Sequence, residues 1–295
     1  MIFLKTLNRY AYAILFHIKN NNVRLLLISY QLHLKINEDN MKKITSILCI
    51  LSAMLLSVNT LAGDKIKMGT EGAYAPFNSV DAQGNLIGFD IEIGNALCAA
   101  MNAECEWVTS DWDGIIPALL AKKFDAIIAS MSITDERKQK ISFSEKYYTS
   151  PVKFARIKGT SFEITEAELK GKYVAVQSST VTENFVRGAF PDAKIKAYKT
   201  QEEANLDFIA GRVDVVAADS FVLYDFLEST QGQQAEAVGP DFDDVKYLGE
   251  GIGIGVRKDD TGLVSKLNAA IKKIRADGTY QKINDKYFKF DVYGS

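Results

Sequence analysis

The octapeptide Ser130-Met-Ser-Ile-Thr-Asp-Glu-Arg137 places two serine hydroxyls, a threonine and a guanidinium directly after the apolar run 126–129. A buried strand that ends in a small hydroxyl residue and turns into a short helix delivers hydroxyls, free backbone N–H groups and an arginine fork to the carboxyl end of a sheet. Open α/β sheets bind ligands there. The fork suits a carboxylate, which it can hold through two parallel N–H donors. Taken alone, the stretch reads more simply as a surface turn with a solvated arginine, so the rest of the chain has to supply partners. Asp219 closes another apolar run, 213–217, where an unpaired carboxylate would be costly and a ligand ammonium is the sharper explanation. Trp112 lies between Asp111 and Asp113, which argues for a loop and a ring free to stack on a cation, and Tyr74 before Pro76 is similar.

The elements that would carry these groups alternate. Residues 65–68 read as a strand, 70–77 as a loop, 81–85 as a turn, and a helical period runs from Asp90, a candidate cap, through Met101. A strand at 105–108, a helix from Asp113 or Gly114 through Leu120, and the strand at 126–129 follow. A second set begins near residue 147: strands at 173–176, 194–198 and 213–217, with helices at 183–190, 201–210 and 221–227 between and after them. A polar segment, 229–244, a glycine-rich strand, 247–256, and two helices, 263–276 and 280–287, complete the chain. Repeated β-α-β alternation makes a mainly parallel sheet flanked by helices the expected architecture of each half, an α/β fold. If the last segment packs on the first half, the chain crosses between lobes twice, and two crossings make a hinge that closes around a ligand. This divides the chain into lobe 1 (64–149 with 252–295), lobe 2 (152–245) and a hinge near 149–152 and 246–251. The glycines from 249 to 255 follow no phosphate-loop spacing and read as hinge and close-packing positions.

Composition narrows the function. Of the 295 residues, 47% are hydrophobic and 24% charged, with a net charge of −2 and no basic block, which argues against a nucleic-acid partner. Met41 opens a basic start, an apolar run from 47 to 58 and a small-residue exit, the order of a secretory signal peptide at 41–62 cleaved near Ala62. The run is too short to span a bilayer. Residues 1–40 then read as an upstream start-site extension. Both histidines, His17 and His33, precede Met41, so the exported chain has none, which removes histidine triads and most histidine metal sites. Cys49 would leave with the signal. Cys98, late in a helical pattern, and Cys105, opening the next strand, can meet disulfide geometry, and an oxidising compartment favours the bridge over two free thiols.

Tyr74-Ala-Pro-Phe77, Gly88-Phe-Asp90, Ile116-Pro-Ala-Leu119, Ser132-Ile-Thr-Asp-Glu-Arg137, Gly211-Arg-Val-Asp214 and Asp277-Gly-Thr-Tyr280 occur in this order. With them, residues 64–295 resemble the periplasmic amino-acid-binding proteins of ABC importers, solute-binding protein family 3, most of all the lysine/arginine/ornithine- and arginine-binding branch. The resemblance implies a type II two-lobe periplasmic-binding-protein fold with a two-strand hinge, no cofactor, a monomer, and permease subunits in the inner membrane as partners. It also implies the Cys98–Cys105 pairing. For the site it implies that Arg137 clamps the ligand α-carboxylate, assisted at a helix start by Thr180, where free N–H groups and the dipole favour an anion. Asp219, helped by Ser130 and Ser132, pairs with the α-ammonium, and Tyr74 and Trp112 sandwich the side chain. Glu71 meets a cationic tip, with Gln177 nearby. Two positions depart from the branch: Ala129 stands where a serine is found and Val181 where a threonine is usual.

The function expected is capture of a basic L-amino acid (arginine, lysine or ornithine) and delivery to a permease, without catalysis. Glu71 would set the preference, because a buried carboxylate left unpaired by a neutral ligand costs roughly 1 to 3 kcal/mol. The alternatives are a periplasmic cyclohexadienyl or arogenate dehydratase on the same fold, with Glu71 as its general acid, a binder of opines or other amino acids, and a sensory receptor feeding a chemoreceptor.

Overall fold

Each half of the chain builds a five-stranded sheet in which four strands run one way and the fifth runs against them; the computed structural model describes residues 64–294. The signal-peptide and start-site readings for residues 1–62 lie outside the described residues. In the first sheet β1 (Asp64–Thr70) pairs in parallel with β5 (Ala103–Thr109) and β6 (Ala126–Ile127). The antiparallel member is β13 (Ile252–Val256), between β6 and β7 (Ser142–Tyr148). In the second sheet β9 (Tyr173–Gln177) pairs in parallel with β10 (Lys194–Tyr198) and β11 (Val215–Asp219). There the antiparallel member is β8 (Val152–Ile157), between β11 and β12 (Ala235–Phe242). In both sheets the reversed strand is the first one laid down after the chain crosses over. A small antiparallel sheet of β2 (Ala73–Tyr74), β3 (Asn78–Val80) and β4 (Leu86–Ile87) sits on the first half.

The sequence VVAAD of β11 is buried at every position, as expected for a parallel strand covered on both faces. On one face Val174, Val176, Val215 and Ala217 pack with Phe185 and Val186 of α5 (Val181–Ala189). On the other, Ala175 and Val216 join Phe208 of α6 (Gln201–Ile209) in a cluster that continues into the first half. That half buries Phe89, Ile93 and Leu97 of α1 (Phe89–Ala100) against Met68, and Ile271 and Ile274 of α9 (Thr261–Ala276). At the crossing, Phe77 stacks 4.6 Å from Tyr148 and lies 6.5 Å from Phe221 of α7 (Ser220–Glu228), which is 5.4 Å from Phe288 beyond the last helix, α10 (Thr279–Tyr287).

Three expectations need correction. Asp90 does not cap α1; Gly88 does, at φ 123, and Asp90 is a fully buried member of the first turn. The polar segment 229–244 contains β12, an edge strand whose irregular register between Val238 and Phe242 accommodates Gly239 and Pro240. The glycine-rich strand starts later than expected, because residues 245–248 form α8 (Val245–Leu248), capped by the Asp244 carboxylate on the Lys246 N–H at 2.9 Å. Gly249 follows at φ 75, and a Cβ there would meet the Ile133 carbonyl oxygen at 2.1 Å. The returning chain is then stitched to the octapeptide: Ile133 N–H donates to Gly251 O (2.8 Å), Glu250 N–H to Ile133 O (3.0 Å) and Gly253 N–H to Met131 O (3.0 Å).

Cys98 and Cys105 form a disulfide between the end of α1 and β5, with Cα atoms 5.7 Å apart. Among the described residues, no helix is long and apolar enough to cross a membrane.

Candidate ligand-binding cleft

Strand ends from both sheets face one another across a narrow cleft lined by Glu71, Tyr74, Trp112, Ser130, Ser132, Arg137, Gln177, Thr180 and Asp219. All nine positions singled out in the sequence are thus brought together. Ala129, Val181 and Thr182 complete the lining.

The first wall hangs on β1 and β6. Glu71 is the residue after β1, and its loop is held by the Gly72 N–H donating to Asn78 Oδ1 at 2.8 Å. Burial pushes the Glu71 carboxyl up to about 7, with Asp111 and Asp113 adding to the rise and Gln177 opposing it. Ser130 stands just after β6 at φ 52, a left-handed conformation uncommon for a residue with a side chain. Arg137 lies in a single helical turn, α3 (Asp135–Lys138), whose N-cap Thr134 accepts from the Arg137 N–H at 3.3 Å. Its guanidinium donates to Ser132 O at 3.0 Å and sits 5.2 Å from the Trp112 ring centre. Burial lowers its pKa to about 10, while Glu136 and Asp219 work the other way, so it keeps its charge at neutral pH. Trp112 occupies a 3-10 turn, Trp112–Gly114, and donates its indole N–H to Ser179 O at 3.2 Å across the cleft.

The opposite wall comes from β9, α5 and β11. Gln177 ends β9 and its amide donates to Glu71 Oε1 at 2.7 Å and to Lys199 O at 3.2 Å. Thr180 is the N-cap of α5, accepting from Glu183 N–H at 3.1 Å and donating to Gln177 O at 2.8 Å. Its hydroxyl is therefore committed to the cap, and what α5 offers the cleft is the positive end of its backbone. Asp219 ends β11; burial pushes its carboxyl up to about 7, against a hydrogen bond from Tyr74 and the Arg137 charge, with Asp90 adding to the rise. At the rim Asp111 pairs with Lys199 at 2.9 Å, and Ser178 Oγ donates to both Asp113 oxygens at 3.1 Å.

Sequence reasoning missed Ser179, whose carbonyl receives both Trp112 and, at 3.5 Å, Arg137, and which has φ 59. Nothing in a serine between Ser178 and Thr180 announces a left-handed backbone. It also missed Thr182, a buried first-turn residue of α5.

Chemically, the cleft carries a buried carboxylate, Asp219, a half-buried one, Glu71, and one guanidinium, with two aromatic rings and a helix N-terminus. Such a set can hold a zwitterion by both ends and still has one acid left for a second cation. The chain is 46% identical to the L-arginine-binding protein of Pseudomonas aeruginosa over 86% of its length and all of that protein. It is 39% identical to the lysine/arginine/ornithine-binding periplasmic protein of Escherichia coli, with the same coverage of both chains. Among solved structures, a Salmonella typhimurium periplasmic binding protein described for its high arginine specificity superposes with a TM-score of 0.73 at 33% identity, over 77% of this chain and all of the other. Residues 66–290 match the family model itself, and the chain belongs to the bacterial extracellular solute-binding proteins, family 3.

Proposed function

We propose that this chain is an exported receptor for a basic L-amino acid that it hands to an ABC permease. The observation that carries the reading is the charge balance of the cleft. Of the charged residues that line the cleft, Glu71 and Asp219 are withdrawn from solvent and only Arg137 stands against them, so the ionised lining has one unmatched negative charge. Arginine, lysine and ornithine carry one net positive charge and would neutralise it; a neutral amino acid would leave it buried without a partner. In this reading Arg137 and the start of α5 hold the α-carboxylate. Asp219, Ser130 and Ser132 take the α-ammonium, Tyr74 and Trp112 flank the stem, and Glu71 with Gln177 meets the tip. The relatives named for arginine and for lysine/arginine/ornithine support it.

Further parts of the proposal follow from the family. The two lobes, 64–149 with 252–295 and 152–245, close about residues 149–152 and 246–251, and the closed form of a monomer is what the permease recognises. The signal at 41–62 directs the chain to the periplasm and is removed near Ala62.

A thermal-shift panel of the common amino acids with ornithine, citrulline and octopine tests this. A ligand at a hundred times its dissociation constant adds about 2.7 kcal/mol of stability. Arginine, lysine and ornithine are expected to raise the melting temperature. A shift with glutamine or glutamate and none with the three basic amino acids would overturn the reading. A dehydratase remains the second reading, because a carboxyl near 7 such as Glu71 has the pKa of a general acid. Product from arogenate or prephenate would establish it.

A further inference from the structure

Directly behind the cleft wall lies a carboxylate outside the cleft lining. Asp90 is fully buried in the first turn of α1, receives three donors and does not line the cleft. Its Oδ2 accepts from Asn78 Nδ2 at 2.9 Å and from Ser130 Oγ at 3.0 Å, and its Oδ1 from the Tyr147 hydroxyl at 2.6 Å. The directions of these bonds are fixed by their surroundings. Asn78 uses its Oδ1 for the Gly72 N–H, so its NH2 must face Asp90. The Tyr147 phenol is a far weaker acid than a carboxyl, so it keeps its proton and donates it to Asp90. Burial raises the pKa of the Asp90 carboxyl, and the three donors oppose that rise by favouring the ionised, accepting form.

We infer that Asp90 is a positioning residue for recognition of the ligand's ammonium group, acting through Ser130, in a way that rests on the amino-acid reading of the cleft. A serine hydroxyl has a single proton, and Asp90 takes it. With that proton engaged, Ser130 Oγ, which lines the cleft and also neighbours the buried Tyr148 hydroxyl, has only lone pairs left to offer, the polarity an N–H donor requires. Asp90 also anchors the side chain of Ser130, whose backbone is left-handed. The loop bearing Glu71 and Tyr74 is tied to the same carboxylate through Asn78. Asp90 also adds negative potential at Asp219, across the cleft.

Asp90→Asn tests the inference with little change in shape. The amide removes the charge that fixes the Ser130 proton and, whichever way it sits, brings a donor against Ser130 or Tyr147. The readout is the ratio of affinities for arginine and for its des-amino analogue, which keeps the carboxylate and the guanidinium, measured by calorimetry. The ratio is expected to fall about tenfold or more in Asp90→Asn and in Ser130→Ala. In Ser130→Ala, adding Asp90→Asn should change it little further. Equal losses for the two ligands would mean that Asp90 is merely structural, and a full further loss in the double variant would mean that it does not act through Ser130; either overturns the inference. An unchanged ratio in Ser130→Ala overturns it as well, whether or not Asp90→Asn folds. If the wild type binds a neutral amino acid and no basic one, the proposed ligand class is wrong, and the same ratio, taken for that amino acid and its own des-amino analogue, still decides the role of Asp90.

Discussion

Glu71 and Asp219 stand on opposite walls of one cleft, and burial is the first cause of the rise of each carboxyl to about 7. Without ligand both retain protons well into the neutral range, whereas a bound cation requires them ionised. Binding of a basic amino acid should therefore expel protons, and affinity should climb from about pH 6 to about pH 8 and level off above. Calorimetry in buffers of different ionisation heat checks this, and a flat affinity with no proton release would contradict it. Stability without ligand has the opposite sign. A carboxyl whose folded pKa lies above its unfolded value binds more protons folded than unfolded between the two. Its contribution is thus greatest below the ordinary carboxyl range and is lost as pH rises through about 7.

Elements place these residues, and they differ in how plainly the sequence announces them. Strand ends were legible: the apolar runs before Ser130 and Asp219 mark strands whose ends face the cleft, because a buried parallel strand leaves a continuous apolar signature, whereas the helix start at Thr180 came from the family resemblance. The strand β12 was not legible, since its Gly239 and Pro240 mimic a loop and its pairing partner β8 lies far away in sequence. The returning strand was only half legible. Its glycines were visible, but the reason for Gly249 is the Ile133 carbonyl, a contact between distant segments. The disulfide appeared where Cys98 and Cys105 suggested it. Gly249→Ala should cost about 1 to 3 kcal/mol, for a left-handed backbone and a clash. Because Ile133 precedes the cap of Arg137's helix, ligand affinity should fall as well. Denaturant melts and calorimetry together test this; an unchanged affinity would show that the return strand does not brace the arginine.

At the scale of the whole molecule, the two sheets touch across the cleft at two depths. Inside, Gln177 meets Glu71 and Tyr74 meets Asp219; at the rim, Lys199 pairs with Asp111 while both remain more than half exposed. Exposed ion pairs contribute about 0 to 1 kcal/mol, so Lys199→Ala should weaken binding no more than about fivefold. A larger loss would move the control of closure from the pocket to the rim. The account itself stands on the inner acid. Arginine and citrulline have nearly the same shape and differ in the charge at the tip, so their affinities, measured by calorimetry for the wild type and for Glu71→Gln, isolate that acid. The prediction is a preference for arginine of about tenfold or more in the wild type that collapses in Glu71→Gln. Equal affinities in the wild type, or a preference untouched by the substitution, would contradict it.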